Sequence, residues 1–252
     1  MKIHNPLPCH IPQLRNLWKE AFGDTDEFLD IFFSTAFSSD RSLCITIDQK
    51  AVAALYWFDC TVAHQKIAYI YAVATAKSHR GQGLCKMLME AAHSILRKSN
   101  YSGALLVPAQ SSLFSFYEKM GYKTTCYTDN LQFSATGEKI SVNEISKEEF
   151  AAVRKKLLPE NSVLQEKENL DFLHSYANFY KGEDFLAAAY KENDRLIVKE
   201  FLGNKEKMAA LIKSMGCVEG VFRTPGATTP YAMYLPLTDD PIIPSYFGFS
   251  FD

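Results

Sequence analysis

The stretch from Lys66 to Lys98 constrains the fold more than any other, because its hydrophobic period changes from strand to helix across a glycine-bearing turn. Lys66-Ile67-Ala68-Tyr69-Ile70-Tyr71-Ala72-Val73-Ala74-Thr75 is β-branched and aromatic, with Ala68, Ala72 and Ala74 at positions of one parity, as a buried strand reads. Beyond it, Leu84, Met87, Leu88, Ala91, Ala92, Ile95 and Leu96 recur at three- and four-residue spacing, one apolar face of a helix predicted to run to about Lys98. Gly81 and Gly83 bracket the helix start, where amides lack intrahelical partners and the helix dipole is positive. The amides of Gly81, Gln82, Gly83, Leu84 and Cys85 are therefore candidates to hold an anion, with Arg80 adding charge. Two glycines between a strand and a helix also occur as no more than a tight connection, so the following segment carries weight.

That segment is a second strand, Gly103-Ala104-Leu105-Leu106-Val107-Pro108, then Gln110-Ser111-Ser112-Leu113-Phe114-Ser115-Phe116-Tyr117-Glu118-Lys119-Met120-Gly121-Tyr122. The pair of motifs resembles the GNAT family of N-acetyltransferases. The family's phosphate motif, Arg or Gln, two residues, Gly, one residue, then Gly or Ala, falls on Arg80, Gly83 and Cys85. Cys85 departs from the pattern but is nearly as small as alanine. The second motif, a strand followed by Asn, a short helix, Leu-Tyr and Gly-Phe, falls on Gln110, Phe116-Tyr117 and Gly121-Tyr122, with Gln110 the other departure. The resemblance spans roughly residues 1 to 130.

It implies a mixed α/β fold around a mostly antiparallel twisted sheet, with acetyl-CoA as co-substrate. The pyrophosphate would lie on the turn, and the pantetheine amides would pair with the backbone of Val73, Ala74 and Thr75 where two strands splay. Gln110 would contribute a polar contact at a helix start. Tyr117 would be the acid that protonates the departing thiolate, since a phenol with a pKa of about 10 stays protonated at neutral pH. The acceptor is an amine, on a small molecule or a peptide. Asp24, Asp26 and Glu27 lie in the helix-rich region that borders the acceptor side in the family, but capping and solvation account for them equally, and no base is named from them. The alternative reading is a non-catalytic acyl-CoA-binding sensor; a P-loop kinase is disfavoured because no G-x-x-x-x-G-K-[ST] occurs.

At 252 residues, 47% hydrophobic and 13% aromatic, the chain fills substantial cores, in one large domain or two smaller ones. A net charge of −2 with dispersed Lys and Arg gives no footprint for nucleic acid or an anionic membrane, so neither partner is expected. The N-terminus lacks the layout of a signal peptide and no apolar run is long enough to span a bilayer, which reads as cytoplasmic. Cys9, Cys44, Cys60, Cys85, Cys126 and Cys217 form no C-x-x-C pair and read as reduced thiols. The six histidines show no ligand spacing, so no metal is expected. Homo-oligomerisation stays open.

The order along the chain is helix, helix, antiparallel strands, then the motif pair. Helix faces are Ile11, Leu14, Leu17, Trp18 and Phe22, ending at Gly23, and Phe28, Phe32, Phe33 and Phe37 after Asp24-Thr25-Asp26. Strands are expected at 42–47, 51–58 and 61–75. The polar stretch 134–139 marks a boundary, giving domains 1–133 and 134–252. The second carries a hairpin, 184–191 and 195–202, then a helix from about Lys205 to Met215, the order found around the first Gly-rich turn; it reads as a degenerate second copy with no cofactor.

The two-unit order resembles the enhanced-intracellular-survival branch of acetyltransferases, in which the terminal carboxylate reaches the active site. That resemblance implies a role for Asp252, with Tyr246, Phe247, Phe249 and Phe251 anchoring the tail. The plainer reading is that these aromatics close the core of the second half.

Overall fold

A computed structural model describes residues 1–251, and Asp252, a candidate site residue, lies outside the described residues. The chain divides into two compact units, Met1–Lys123 with Met233–Ile242, and Thr124–Ala232 with Ile243–Asp252. Among the described residues, no helix is long and apolar enough to cross a membrane.

The first unit contains, in chain order, β1 (Lys2–His4), α1 (Ile11–Phe22), α2 (Asp26–Thr35), β2 (Ser42–Ile47), β3 (Lys50–Val62), β4 (Gln65–Thr75), α3 (Leu84–Lys98), β5 (Gly103–Leu106) and α4 (Ser112–Glu118). β1 to β4 are antiparallel neighbours, whereas β5 lies parallel to β4, as a strand reached through a crossover helix must. The expected strand over 61–75 is interrupted: Ala63 adopts a φ of +49°, and Val62 pairs with Gln65 across a two-residue turn. α1 stops where Gly23, at φ +80°, donates its amide to the Lys19 carbonyl. The Thr25 side chain then accepts from the Phe28 amide to cap α2.

Alternation along β3 and β4 gives the sheet two apolar faces. Leu55, Trp57, Ala68 and Ile70 pack with Leu84, Leu88, Met89, Ala92 and Leu96 of α3, and with Tyr117 and Tyr122. Tyr56, Phe58, Tyr69 and Tyr71 point the other way; Trp18 and Phe32 stack against Tyr56 at ring separations of 5.2 and 5.1 Å.

The second unit continues with β6 (Lys123–Ser134), β7 (Asn143–Glu144), α5 (Lys147–Leu157), β8 (Val163–Leu164), α6 (Glu168–His174), β9 (Asn178–Lys181), β10 (Phe185–Glu192), β11 (Arg195–Gly203), α7 (Met208–Ser214), β12 (Glu219–Pro225) and β13 (Thr229–Pro236). β10 and β11 form the expected antiparallel hairpin, and α7 leads to β12, which lies parallel to β11. This repeats the connectivity of β3, β4, α3 and β5. Met208, Leu211 and Ile212 of α7 pack with Val198, Phe201 and Phe222.

The units part at 123/124 rather than at 133/134, because β6 pairs antiparallel with β12 from Thr128 to Ser134 and so belongs to the second core. In return, Met233–Pro236 of β13 pairs with β5 and belongs to the first. The tail aromatics Tyr246, Phe247, Phe249 and Phe251 are buried in the second unit, Phe251 against Phe172 at 5.0 Å.

Within the first unit, buried His93 is hydrogen-bonded to the Tyr122 hydroxyl at 2.8 Å. Burial, with a smaller contribution from Arg97, lowers its pKa from 6.5 to about 4. The unfolded chain therefore takes up a proton near pH 6.5 that the folded chain refuses until about pH 4, so stability falls as pH falls through this window. The loss expected from this residue is about 3 kcal/mol, and His93→Gln flattens the acid limb in urea unfolding curves measured between these pH values.

Candidate active site

β4 carries a two-against-one bulge. Tyr71 pairs with Tyr56 and Ala74 with Ala54, so Ala72 and Val73 together oppose Leu55, and Ala72 is left-handed at φ +48°. The bulge reverses the facing of all that follows. Tyr71 belongs to the α1–α2 face, but Val73 packs against the α3 cluster, so the single alanine face read from the sequence is broken at Ala72.

The other edge of β4 opens at the same level. β5 pairs with it from Ile67 to Tyr69, and no pairing continues beyond Tyr69 and Leu105. On the β3 side, the Ala76 amide donates to the Val52 carbonyl at 2.8 Å. Polar groups alternate along a strand, so the backbone of Ala74 also faces β3, while that of Val73 and Thr75 faces the gap. Ala74 thus contributes a small side chain rather than a free amide.

The turn lies at the end of this open edge. Arg80 is exposed, and its Nε donates to the Thr75 carbonyl at 3.1 Å, which holds the guanidinium beside the turn. Gly81 and Gly83 have φ of +77° and +76°, and Gly83 is the N-cap of α3 with no side-chain cap. Space is not what selects glycine here, since a Cβ at either position would meet nothing within 4 Å; the left-handed backbone is. The first turn-closing bond of α3 runs from the Met87 amide to the Gly83 carbonyl. Among the described residues, the amides of Gly81, Gln82, Gly83, Leu84 and Cys85 make no backbone hydrogen bond.

Tyr117 lies in the α3-side core of the same unit, with its ring 5.9 Å from that of Tyr122. Burial first, and the neighbouring Cys85 thiol second, push its hydroxyl pKa well above the ordinary phenol value. Burial likewise pushes Cys85 up to about 11, so this thiol is protonated at neutral pH. Gln110 is exposed, and its backbone carbonyl accepts from the Leu113 amide at 3.0 Å at the start of α4.

The acidic residues near α2 have structural partners. Asp24 accepts from the Trp18 indole at 2.7 Å, and Asp26 pairs with Lys19 and Arg15, which hold its carboxyl below the usual range. Glu27 is lowered by hydrogen bonds in the first turn of α2, that of its own amide first and that of Thr25 second.

Among the described residues, the site thus combines a strand edge that β5 pairs only as far as Tyr69, a turn whose amides make no backbone hydrogen bond, and a buried hydroxyl. Residues 6–125 match the family described as Acetyltransferase (GNAT) domain. Over that segment the chain is similar to this family. No curated protein matches the chain. Among solved structures, the fold is similar to a GCN5-related N-acetyltransferase from Anabaena variabilis, at a TM-score of 0.75 and 13% identity over 94% of this chain and 73% of that one. A GCN5-related N-acetyltransferase from Kribbella flavida gives 0.72 and 16% over 94% and 72%. Eis1 from Mycobacterium abscessus gives 0.67 and 11% over 94% and 74%. At these identities the likeness is one of fold, and it extends over both units.

With a pKa pushed up to about 11, Cys85 holds about a hundredfold less thiolate at pH 7.5 than a thiol of pKa 9.0. Iodoacetamide is expected to alkylate exposed Cys9 well before Cys85, an order that peptide mapping over a time course reads directly.

Proposed function

We propose that the first unit transfers the acetyl group of acetyl-CoA to an amine, on a small molecule or a peptide. The observation that carries this reading is the open edge of β4 beyond Tyr69, which ends in the unpartnered amides of the Gly81–Cys85 turn. A pantetheine arm needs partners for two amides in an extended conformation, and the Val73 backbone and the Thr75 amide offer them, the Thr75 carbonyl being bound by Arg80 Nε. A pyrophosphate needs converging N–H groups and positive charge, and the turn offers both, with Arg80 beside it. The similarity to the GNAT family supports acyl transfer as the reaction.

In the chemical step the amine nitrogen bonds to the thioester carbonyl carbon, the carbon–sulfur bond breaks, and sulfur leaves with the electron pair. Tyr117 supplies the proton that converts this thiolate to a thiol. Its raised pKa keeps it protonated at neutral pH, so the proton is in place when the thiolate forms. The attacking amine must shed a proton as it becomes an amide, and this leaves for solvent or for a base on the acceptor side.

Two substitutions separate binding from chemistry. Gly83→Asp places a negative charge, and a residue that resists φ +76°, at the anion position; CoA affinity is expected to fall at least ~10-fold by calorimetry, with the circular dichroism spectrum retained. Tyr117→Phe is expected to lower turnover ~100-fold or more with CoA affinity little changed, in a thiol-release assay across amines, peptides and aminoglycosides. Wild-type turnover in Tyr117→Phe reduces the residue to packing, and CoA binding without turnover on any acceptor favours an acyl-CoA sensor.

A further inference from the structure

The histidines and cysteines are scattered in the sequence, but the fold gathers three of them at one edge of the first unit. His4 on β1 and Cys44 on β2 are directly paired across the strands, and His10 ends the short turn Pro8–His10 that leads into α1. One ligand atom from each lies within 4.8 Å of the others. Cys44 and His10 are buried and His4 is half-buried. The two histidines line an open cleft of about 600 Å³, together with Cys9, Thr46 and Asp48.

Backbone partners fix the tautomers of both imidazoles. His4 Nδ1 lies 2.8 Å from the Asn5 carbonyl, which only accepts, so Nδ1 carries the proton and Nε2 holds a lone pair. The Leu7 amide, which only donates, lies 3.1 Å from His10 Nδ1, so the lone pair of His10 is on Nδ1. For His4 the backbone carbonyl is the kind of outer partner that sets a metal-binding tautomer.

We propose that His4 Nε2, His10 Nδ1 and Cys44 Sγ bind a borderline-soft divalent transition ion of the Zn²⁺ type, with its fourth position open to the cleft that holds Cys9 and Asp48. Two imidazoles and a thiolate are the donor set such ions prefer over Mg²⁺ or Ca²⁺. Tetrahedral bonds of about 2.0 to 2.3 Å place ligand atoms about 3.3 to 3.6 Å apart. The Cys44 sulfur is 3.9 and 4.0 Å from the two nitrogens of His4, a short contraction from that geometry. Because these two distances are nearly equal, the sulfur does not lie along the Nε2 lone pair, and ligation turns the His4 ring about its soft χ2 torsion. The ion replaces the Thr46 hydroxyl on His4 Nε2 and the Leu7 amide on His10 Nδ1. The Cys44 thiol loses its proton to solvent as the sulfur–metal bond forms. The bound ion then clips the three-residue strand β1 and the turn before α1 to β2.

The test is a Co²⁺ titration of the full chain, stripped of metal and kept reduced, read by absorbance. The expected result is one equivalent bound, with a thiolate-to-cobalt charge-transfer band and the strong visible bands of a four-coordinate ion, displaced by Zn²⁺. Cys44→Ser is expected to abolish the charge-transfer band, and His4→Gln to weaken Co²⁺ at least ~10-fold. Should Cys44→Ser fail to fold by circular dichroism, half-buried His4→Gln decides. Absence of binding, binding without the charge-transfer band, a band that persists in folded Cys44→Ser, or an unchanged affinity in His4→Gln overturns the proposal.

Discussion

The unit that carries the candidate active site depends on how β4 divides its two edges. An interior strand must satisfy its backbone groups on both sides, and β4 does so with β3 along its length but with β5 only as far as Tyr69. Past that point the Ala72 bulge breaks its alternation, and the Val73 backbone and the Thr75 amide face the edge that β5 does not pair. The left-handed Ala72 is a conformation that costs free energy without glycine. Its place beside an unpaired edge and an uncapped helix start fits the CoA-binding role proposed for this region.

The second unit shows the same connectivity put to a structural use. Its hairpin, helix and parallel strand follow the order of the first, and β11 also bulges, since Glu200 and Val198 pair with consecutive residues Ala188 and Ala189. Glu200, beside this bulge, is held by the Arg154 guanidinium at 2.6 and 3.0 Å and by the Tyr246 hydroxyl at 3.2 Å, all buried. Arg154 also lies 4.7 Å over the Phe249 ring, and a Cβ at Gly248 would fall 1.7 Å from a Glu200 oxygen. A buried ion pair earns little net stability against its desolvation, but losing one partner strands the other charge, so this pair fixes where the chain between Tyr246 and Phe251 packs. The tail aromatics are core of the second unit.

The two units also exchange strands in sequence. β6 follows α4 directly yet pairs with β12, and the end of β13 returns to pair with β5. A division placed at a polar stretch misses this, because β6 looks alike whichever core it joins. Pairing register and burial, not composition, decide its membership.

The sequence by itself determined the strand, turn and helix of the motif, the ends of α1 and α3, the second hairpin, and the placing of Gly81, Gly83 and Tyr117, because periodicity and a left-handed glycine are local properties. It also carried the GNAT resemblance, which rests on such local spacings. Only the tertiary structure decided that Ala72 bulges, since alanine gives no sign of a left-handed backbone. It alone brought His4, His10 and Cys44 together, because cross-strand partners are set by register between segments far apart in the chain. The pKa values of His93, Cys85 and Tyr117 were likewise invisible in sequence, since they follow from how much water and which neighbours the folded core leaves to each group.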